Sequence, residues 1–205
     1  PYMLLITAVL LVMGMTGNEI TFIEGVILWV LFIAYLLYLY FLAKKGNDSG
    51  DEQPVKLYPV WKCLLFIVLG GVCVVIGSQL VVNGATTIAR ACGMSERFIG
   101  LTIVAFGTSL PELVTSVSAA RKGNAGIAIG NIVGSNIFNI LFVIGTVALI
   151  CPVPFESRFV IDTVVAILCG VLLWGGTIRH KELRKPCGVV MLLCYAAYFV
   201  YLAAM

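Results

Sequence analysis

The sequence predicts an all-α fold: a polytopic bundle of about seven transmembrane helices, with discontinuous helices around an ion site. Three observations predict it. Of the 205 residues, 61% are hydrophobic and 11% charged, against about 45–50% and about 25% in soluble domains. Mean hydropathy is +1.08. The apolar residues fall into runs near the ~20 residues that cross a hydrocarbon core as a helix.

The runs are Tyr2–Thr16, Ile20–Ala43, Tyr58–Ala89, Phe98–Ala120, Ala125–Ile150, Phe159–Ile178 and Gly188–Ala204. The first is short. The third exceeds one bilayer crossing and must tilt or protrude. Connections are short except Lys44–Lys56, a polar stretch with Gly46, Gly50 and Pro54 that reads as a linker. Residues 1–43 are therefore expected to hold two helices, 44–57 a cytoplasmic linker and 58–205 five further helices.

Charge placement orients the chain. Alternating the spans puts Lys44, Lys45, Lys56, Lys62, Arg121, Lys122, Arg179, Lys181, Arg184 and Lys185 on one side, and Arg90, Arg97 and Arg158 on the other. Cationic loops stay in the cytoplasm, so Pro1 is expected inside and Met205 outside, in a plasma membrane of bacterial type. The net charge of +3 is too small to suggest nucleic acid. The seven cysteines contain no CxxC pair and read as small apolar residues. No cofactor is expected.

The chemistry lies in the fourth and fifth runs. Nine of the ten acidic residues fall in loops or near helix ends; Glu112 stands near the middle of a span. An ionised carboxylate there costs about 2.5–3.5 kcal/mol on insertion scales and needs compensation. Its neighbours Thr108 and Ser109 bring hydroxyls, and Gly107 and Pro111 predispose the helix to break. The first half-helix is expected to end near Ala105–Phe106, and the second to begin with Pro111 in its first turn, capped by Ser109 or Thr108. Freed carbonyls, hydroxyls and a carboxylate suit a hard cation such as Ca²⁺, and broken helices at mid-membrane hold ions in transporters. In the fifth run Gly130, Asn131, Gly134, Ser135, Asn136 and Asn139 crowd together. Ser135 and Asn139 share a face at i, i+4. An intramembrane enzyme would need a second acid or a nucleophile–base pair, and no second mid-span acid or histidine is present. A transporter, not an enzyme, is expected.

Gly107-Thr-Ser-Leu-Pro-Glu-Leu113, Lys122-Gly123 and Gly130-Asn-Ile-Val-Gly-Ser-Asn-Ile-Phe-Asn139 resemble the signature repeat of the sodium/calcium exchangers, within the cation/Ca²⁺ exchanger superfamily. The likeness is nearest to the prokaryotic calcium/sodium antiporters. It implies two inverted halves of five helices, each with one such repeat. The motif occurs once here, so 58–205 resembles a second half and 1–43 the end of a first, as in a fragment lacking the first repeat. By the same likeness Glu112 would be the shared Ca²⁺/Na⁺ carboxylate. Ser109 and Thr108 would supply hydroxyls, Ala105 a backbone carbonyl, and Ser135 and Asn139 donors from the facing half-helix. Tyr58–Ala89 would match the helix that slides during alternating access. Ca²⁺ and Na⁺ would be the substrates, and a missing half or a second copy would complete the site. Some relatives have Asp at the position of Asn139, which bears on ion choice and stoichiometry.

Overall fold

The computed structural model describes residues 1–45, 58–94, 96–178, 183 and 185–204, without the side chains of residues 97, 98, 101, 158 and 202–204. The expected linker thus lies almost wholly outside the described residues, as do Arg179, His180, Lys181, Glu182 and Arg184. The helices are α1 (Tyr2–Gly17), α2 (Phe22–Lys45), α3 (Val60–Ala91), α4 (Glu96–Ile99), α5 (Ala105–Thr108), α6 (Leu110–Arg121), α7 (Ala125–Phe138), α8 (Gly145–Ile150), α9 (Ser157–Thr177) and α10 (Lys185–Ala204). A π-helical turn over Gly100–Val104 joins α4 to α5, and another over Asn139–Ile144 joins α7 to α8. Two short strands, β1 (Glu19–Ile20) and β2 (Val153–Pro154), pair antiparallel.

The expectation of a transmembrane helix protein holds, and of the seven expected spans four or five meet the length and hydropathy of a membrane crossing among the described residues. Among the described residues, Phe22–Lys45, Val60–Ala91, Ala125–Ile150 and Phe159–Thr177 are long and apolar enough to cross a membrane. Thr102–Thr108 with Leu110–Arg121 makes a fifth if counted as one bent span, and Tyr2–Gly17 and Lys185–Tyr201 are shorter apolar helices. At about 1.5 Å per residue, the 16 residues of α1 fall short of the ~30 Å of a hydrocarbon core.

Packing divides the chain into two compact units. One comprises Pro1–Asp51 with Ile129–Met191, the other Glu52–Ala128 with Leu192–Met205. The core of the first is built from Ile6, Leu10, Ile20, Leu28, Ile137, Leu141, Ala148 and Phe155. Glycines let α2 and α8 approach. A Cβ on Gly25 would press on Ala148 and the Gly145 carbonyl, and one on Gly145 would press on Leu28 and Trp29. Small residues at such a seam let helix backbones approach, which lipid-embedded helices rely on because burial drives them together only weakly. Beside the seam the Trp29 indole donates to Thr146 Oγ1 at 3.2 Å. Its ring packs on Phe142 at 5.1 Å, and Phe142 stacks on Phe138 at 4.7 Å. Trp29 is therefore a packing residue. At one end β1 and β2 pair, Phe155 N–H donates to the Asn18 carbonyl at 2.8 Å, and the Phe155 ring covers Gly14.

The second unit is led by α3. Ala89 is its buried residue among those described, and the remaining apolar surface suits lipid. Gly93, at φ 77°, turns the chain back into α4, so the helix of α4, the π turn and α5 runs antiparallel to α3. Gly123, at φ 78°, closes α6 with left-handed backbone that favours glycine. The Ser116 hydroxyl then donates to the Ala128 carbonyl at 3.4 Å, tying α6 to the start of α7.

Candidate functional site

The fourth run breaks, at a different residue from the one expected. Helical geometry continues through Ala105 and Phe106 to Thr108, because Gly107 stays in the helix. The break is Ser109, at φ −92° and ψ 0°, and the two segments diverge by 51°. Pro111 lies in the first turn of α6, as anticipated. Having no N–H, it leaves the Gly107 carbonyl without its i+4 donor. The amide of Ser109 reaches Phe106 at 3.1 Å, and α6 resumes with Leu113 N–H on the Ser109 carbonyl at 3.0 Å.

The hydroxyls do not cap α6 as expected. Thr108 Oγ1 donates to the Ala105 carbonyl at 3.0 Å, and Ser109 Oγ approaches the same oxygen at 3.5 Å. Short hydroxylated side chains compete in this way for carbonyls three or four residues back. The result brings together three oxygens expected as ion donors: the Ala105 carbonyl and both hydroxyls. Thr108 and Ser109 are exposed, so these oxygens are accessible.

Glu112 follows one turn after the break. It is half-buried in the first turn of α6, with Oε2 buried. Negative charge is favoured at a helix N-terminus, where amide dipoles converge, so breaking the helix at Ser109 also creates a favourable place for this carboxylate. No cluster of three His, Cys, Asp or Glu side chains occurs among the described residues. This segment therefore offers a cation one carboxylate among neutral oxygens, a hard donor set suited to Ca²⁺ or Na⁺.

Ser135 and Asn139 lie in the other unit. Ser135 is half-buried, with Oγ donating to the Ile132 carbonyl at 3.1 Å. Asn136 Nδ2 donates to the same carbonyl at 2.8 Å. Asn139 is exposed and opens the second π turn. The two π turns escape sequence reasoning. Gly-Leu-Thr-Ile-Val and Asn-Ile-Leu-Phe-Val-Ile carry no pattern that separates i→i−5 from i→i−4 bonding. Each nevertheless abuts a candidate residue: the Ala105 amide bonds back to the Gly100 carbonyl, and Asn139 begins the other. Such turns occur often at functional sites.

Known proteins resemble this chain over most of its length. Residues 62–204 match the family model described as sodium/calcium exchanger protein. CaxA of Alkalimonas amylolytica is 35% identical over 97% of this chain and 65% of its own length. The sodium/calcium exchanger MaX1 of Methanosarcina acetivorans is 38% identical over 69% of this chain and 41% of its own. The solved sodium/calcium exchanger from Methanococcus jannaschii superposes with a TM-score of 0.77 at 31% identity, over 97% of this chain and 62% of that one. The chain thus spans less than two thirds of the length of these relatives. The match to the family model, the helical membrane fold and the motif around Glu112 lead to one conclusion: this chain belongs to the sodium/calcium exchanger family.

Proposed function

We propose that the complete protein is a membrane antiporter exchanging Ca²⁺ against Na⁺ by alternating access at a mid-membrane oxygen site. Glu112, Ser109, Thr108, Ala105, Ser135 and Asn139 are this chain's contribution to that site. The observation that carries the reading is the break at Ser109. It sets a carbonyl with two hydroxyls on one side and a carboxylate at a helix N-terminus on the other, inside an otherwise apolar span.

Glu112 balances the charge of either ion, and the neutral oxygens replace lost hydration. Ca²⁺ takes six to eight oxygens, more than the break itself offers. Further donors come from a first half or from a second copy of this chain. Sharing one carboxylate makes Ca²⁺ and Na⁺ occupancy mutually exclusive, the condition for coupled exchange. The protein sits in a bacterial inner membrane with residue 1 inside and the C-terminus outside.

The test is Ca²⁺ uptake into vesicles driven by an outward Na⁺ gradient. Glu112→Gln keeps the shape and removes the charge, and uptake should vanish. Flux at the wild-type rate in that variant would sink the proposal. Replacing the Na⁺ gradient by a proton gradient, or adding K⁺, tests the second reading, a Ca²⁺/H⁺ or K⁺-dependent exchanger.

A further inference from the structure

Within the first unit, α1, the π turn after α7, the β1–β2 pair and α9 surround a cavity of about 400 Å³. Small-molecule sites typically measure roughly 300–1,000 Å³. Leu10, Ile20, Ile140 and Ile144 supply apolar walls. Phe155 and Phe159 add two aromatic rings whose centres lie 6.0 Å apart. Set into this lining are four polar residues, Asp162, Thr163, Thr7 and Asn136. Thr7 Oγ1 donates to the Met3 carbonyl at 2.8 Å, and Thr163 Oγ1 to the Phe159 carbonyl at 2.6 Å. Each hydroxyl thus spends its only proton on its own helix and is left with acceptor lone pairs. Asn136 also gives an amide hydrogen to its own helix, at the Ile132 carbonyl. A carboxylate offers about four acceptor positions and no donor, so the interaction Asp162 already makes leaves capacity for another. The cavity is apolar in its walls and rich in acceptors in its polar part.

That lining discriminates among occupants. Ca²⁺ takes six to eight oxygens, more than these four side chains supply. A neutral apolar body would strip water from Asp162 and return no hydrogen bond. An anion would meet a carboxylate. A protonated amine on an apolar body matches both parts. Its ammonium brings positive charge and three N–H donors. Its body buries against the isoleucines and the phenylalanine pair, whose ring faces also attract a cation. We propose that this cavity binds a soluble amphiphilic amine, with the ammonium on Asp162 and an aromatic or aliphatic body between α1 and α9. The site does not depend on the exchange reading, because none of the six proposed ion donors lines it. An occupant would touch α1, the π turn and α9 together, so binding should stabilise the fold.

The test uses the intact chain in phosphatidylcholine nanodiscs, titrated calorimetrically with phenylbutylamine, phenylbutanol and phenylbutyrate. These probes share one body and differ in the charge of the head, and empty nanodiscs correct for partition into lipid. The amine should saturate, raise the melting temperature and bind about tenfold or more tighter than the alcohol. The carboxylate probe should not bind. Asp162→Asn keeps the shape and removes the charge. It should weaken the amine by about tenfold or more and leave the alcohol within about threefold. Ala166→Leu narrows the cavity one turn further along α9 and should also weaken the amine by about tenfold at an unchanged melting temperature. It decides the matter if D162N does not fold. Equal affinity for amine and alcohol, wild-type amine affinity in either variant, or no amine heat beyond that of empty nanodiscs overturns the proposal.

Discussion

The fourth and fifth spans are built from similar material and behave differently. Both are apolar segments interrupted by small and polar residues. Thr102–Arg121 bends by 51°, whereas Ala125–Ile150 runs on as one long helical segment. The difference lies in how each treats its own backbone. In the fourth span Pro111 withholds a donor and Ser109 leaves helical geometry, so carbonyls lose their helix partners. In the fifth, Ser135 and Asn136 spend their donors on the Ile132 carbonyl of the same helix, and the chain continues through a wider π turn. Polar side chains alone do not open a membrane helix. A missing N–H does.

That contrast can be broken experimentally. The largest effect is expected from Glu112→Gln, which removes the sole acid of the broken span's interior and should abolish exchange. Next comes Pro111→Ala. It restores the amide that the Gly107 carbonyl lacks, straightens the span and should weaken Ca²⁺ affinity by about tenfold or more, as expected when a preorganised site must pay to reopen. Isothermal titration and the distance between spin labels at Phe106 and Val117 check it; unchanged affinity would mean that the bend is incidental. In the first unit, Gly145→Val fills the crossing between α2 and α8 and should destabilise by about 1–3 kcal/mol, read as a lower melting temperature. Trp29→Phe loses the bond to Thr146 and should cost about 0.5–1.5 kcal/mol.

The smallest effect belongs to the exposed clasp at the Gly93 turn. Hydrogen bonding from Arg90 holds the Glu96 carboxyl below its ordinary value of 4.5, opposed by desolvation and aided to a smaller extent by the Arg90 charge. A lowered folded value means that the clasp's contribution is present above pH 4.5 and is lost as pH falls through the depressed value. Glu96→Gln should therefore flatten any acid-side loss of stability from this turn. An unchanged acid limb would show that the clasp contributes nothing, as many exposed pairs do.

What was legible in the sequence divides along the same line. Glu112 stood out because a mid-span acid is costly, and Pro111 announced a break because it lacks a donor; both are properties of single residues. The position of the break was not legible. Gly107 reads as a breaker on its own, yet it stays helical where Val82 packs against it, and Val82 lies on another helix. The hydroxyls of Thr108 and Ser109 had two outlets, forward to cap α6 or back to Ala105, and composition does not choose between them. The strands were invisible, since Glu19-Ile20 is ordinary until Val153-Pro154 arrives to pair with it.

The β1–β2 bridge also bears on how the chain is made. Glu19 and Ile20 leave the ribosome long before Val153 and Pro154, with α2 to α8 synthesised in between. Until the second strand appears, Gly14 lacks its cover from Phe155, and Gly25 waits for Ala148 and Gly145 to fill its side of the seam. Helices α1 and α2 must therefore enter the bilayer before the residues that complete their packing exist. They lock only once Val153 and Pro154 have been made and can pair. Nascent chains stopped before Val153 should accordingly remain sensitive to protease at the α1–α2 turn, and those stopped after Phe159 should resist it.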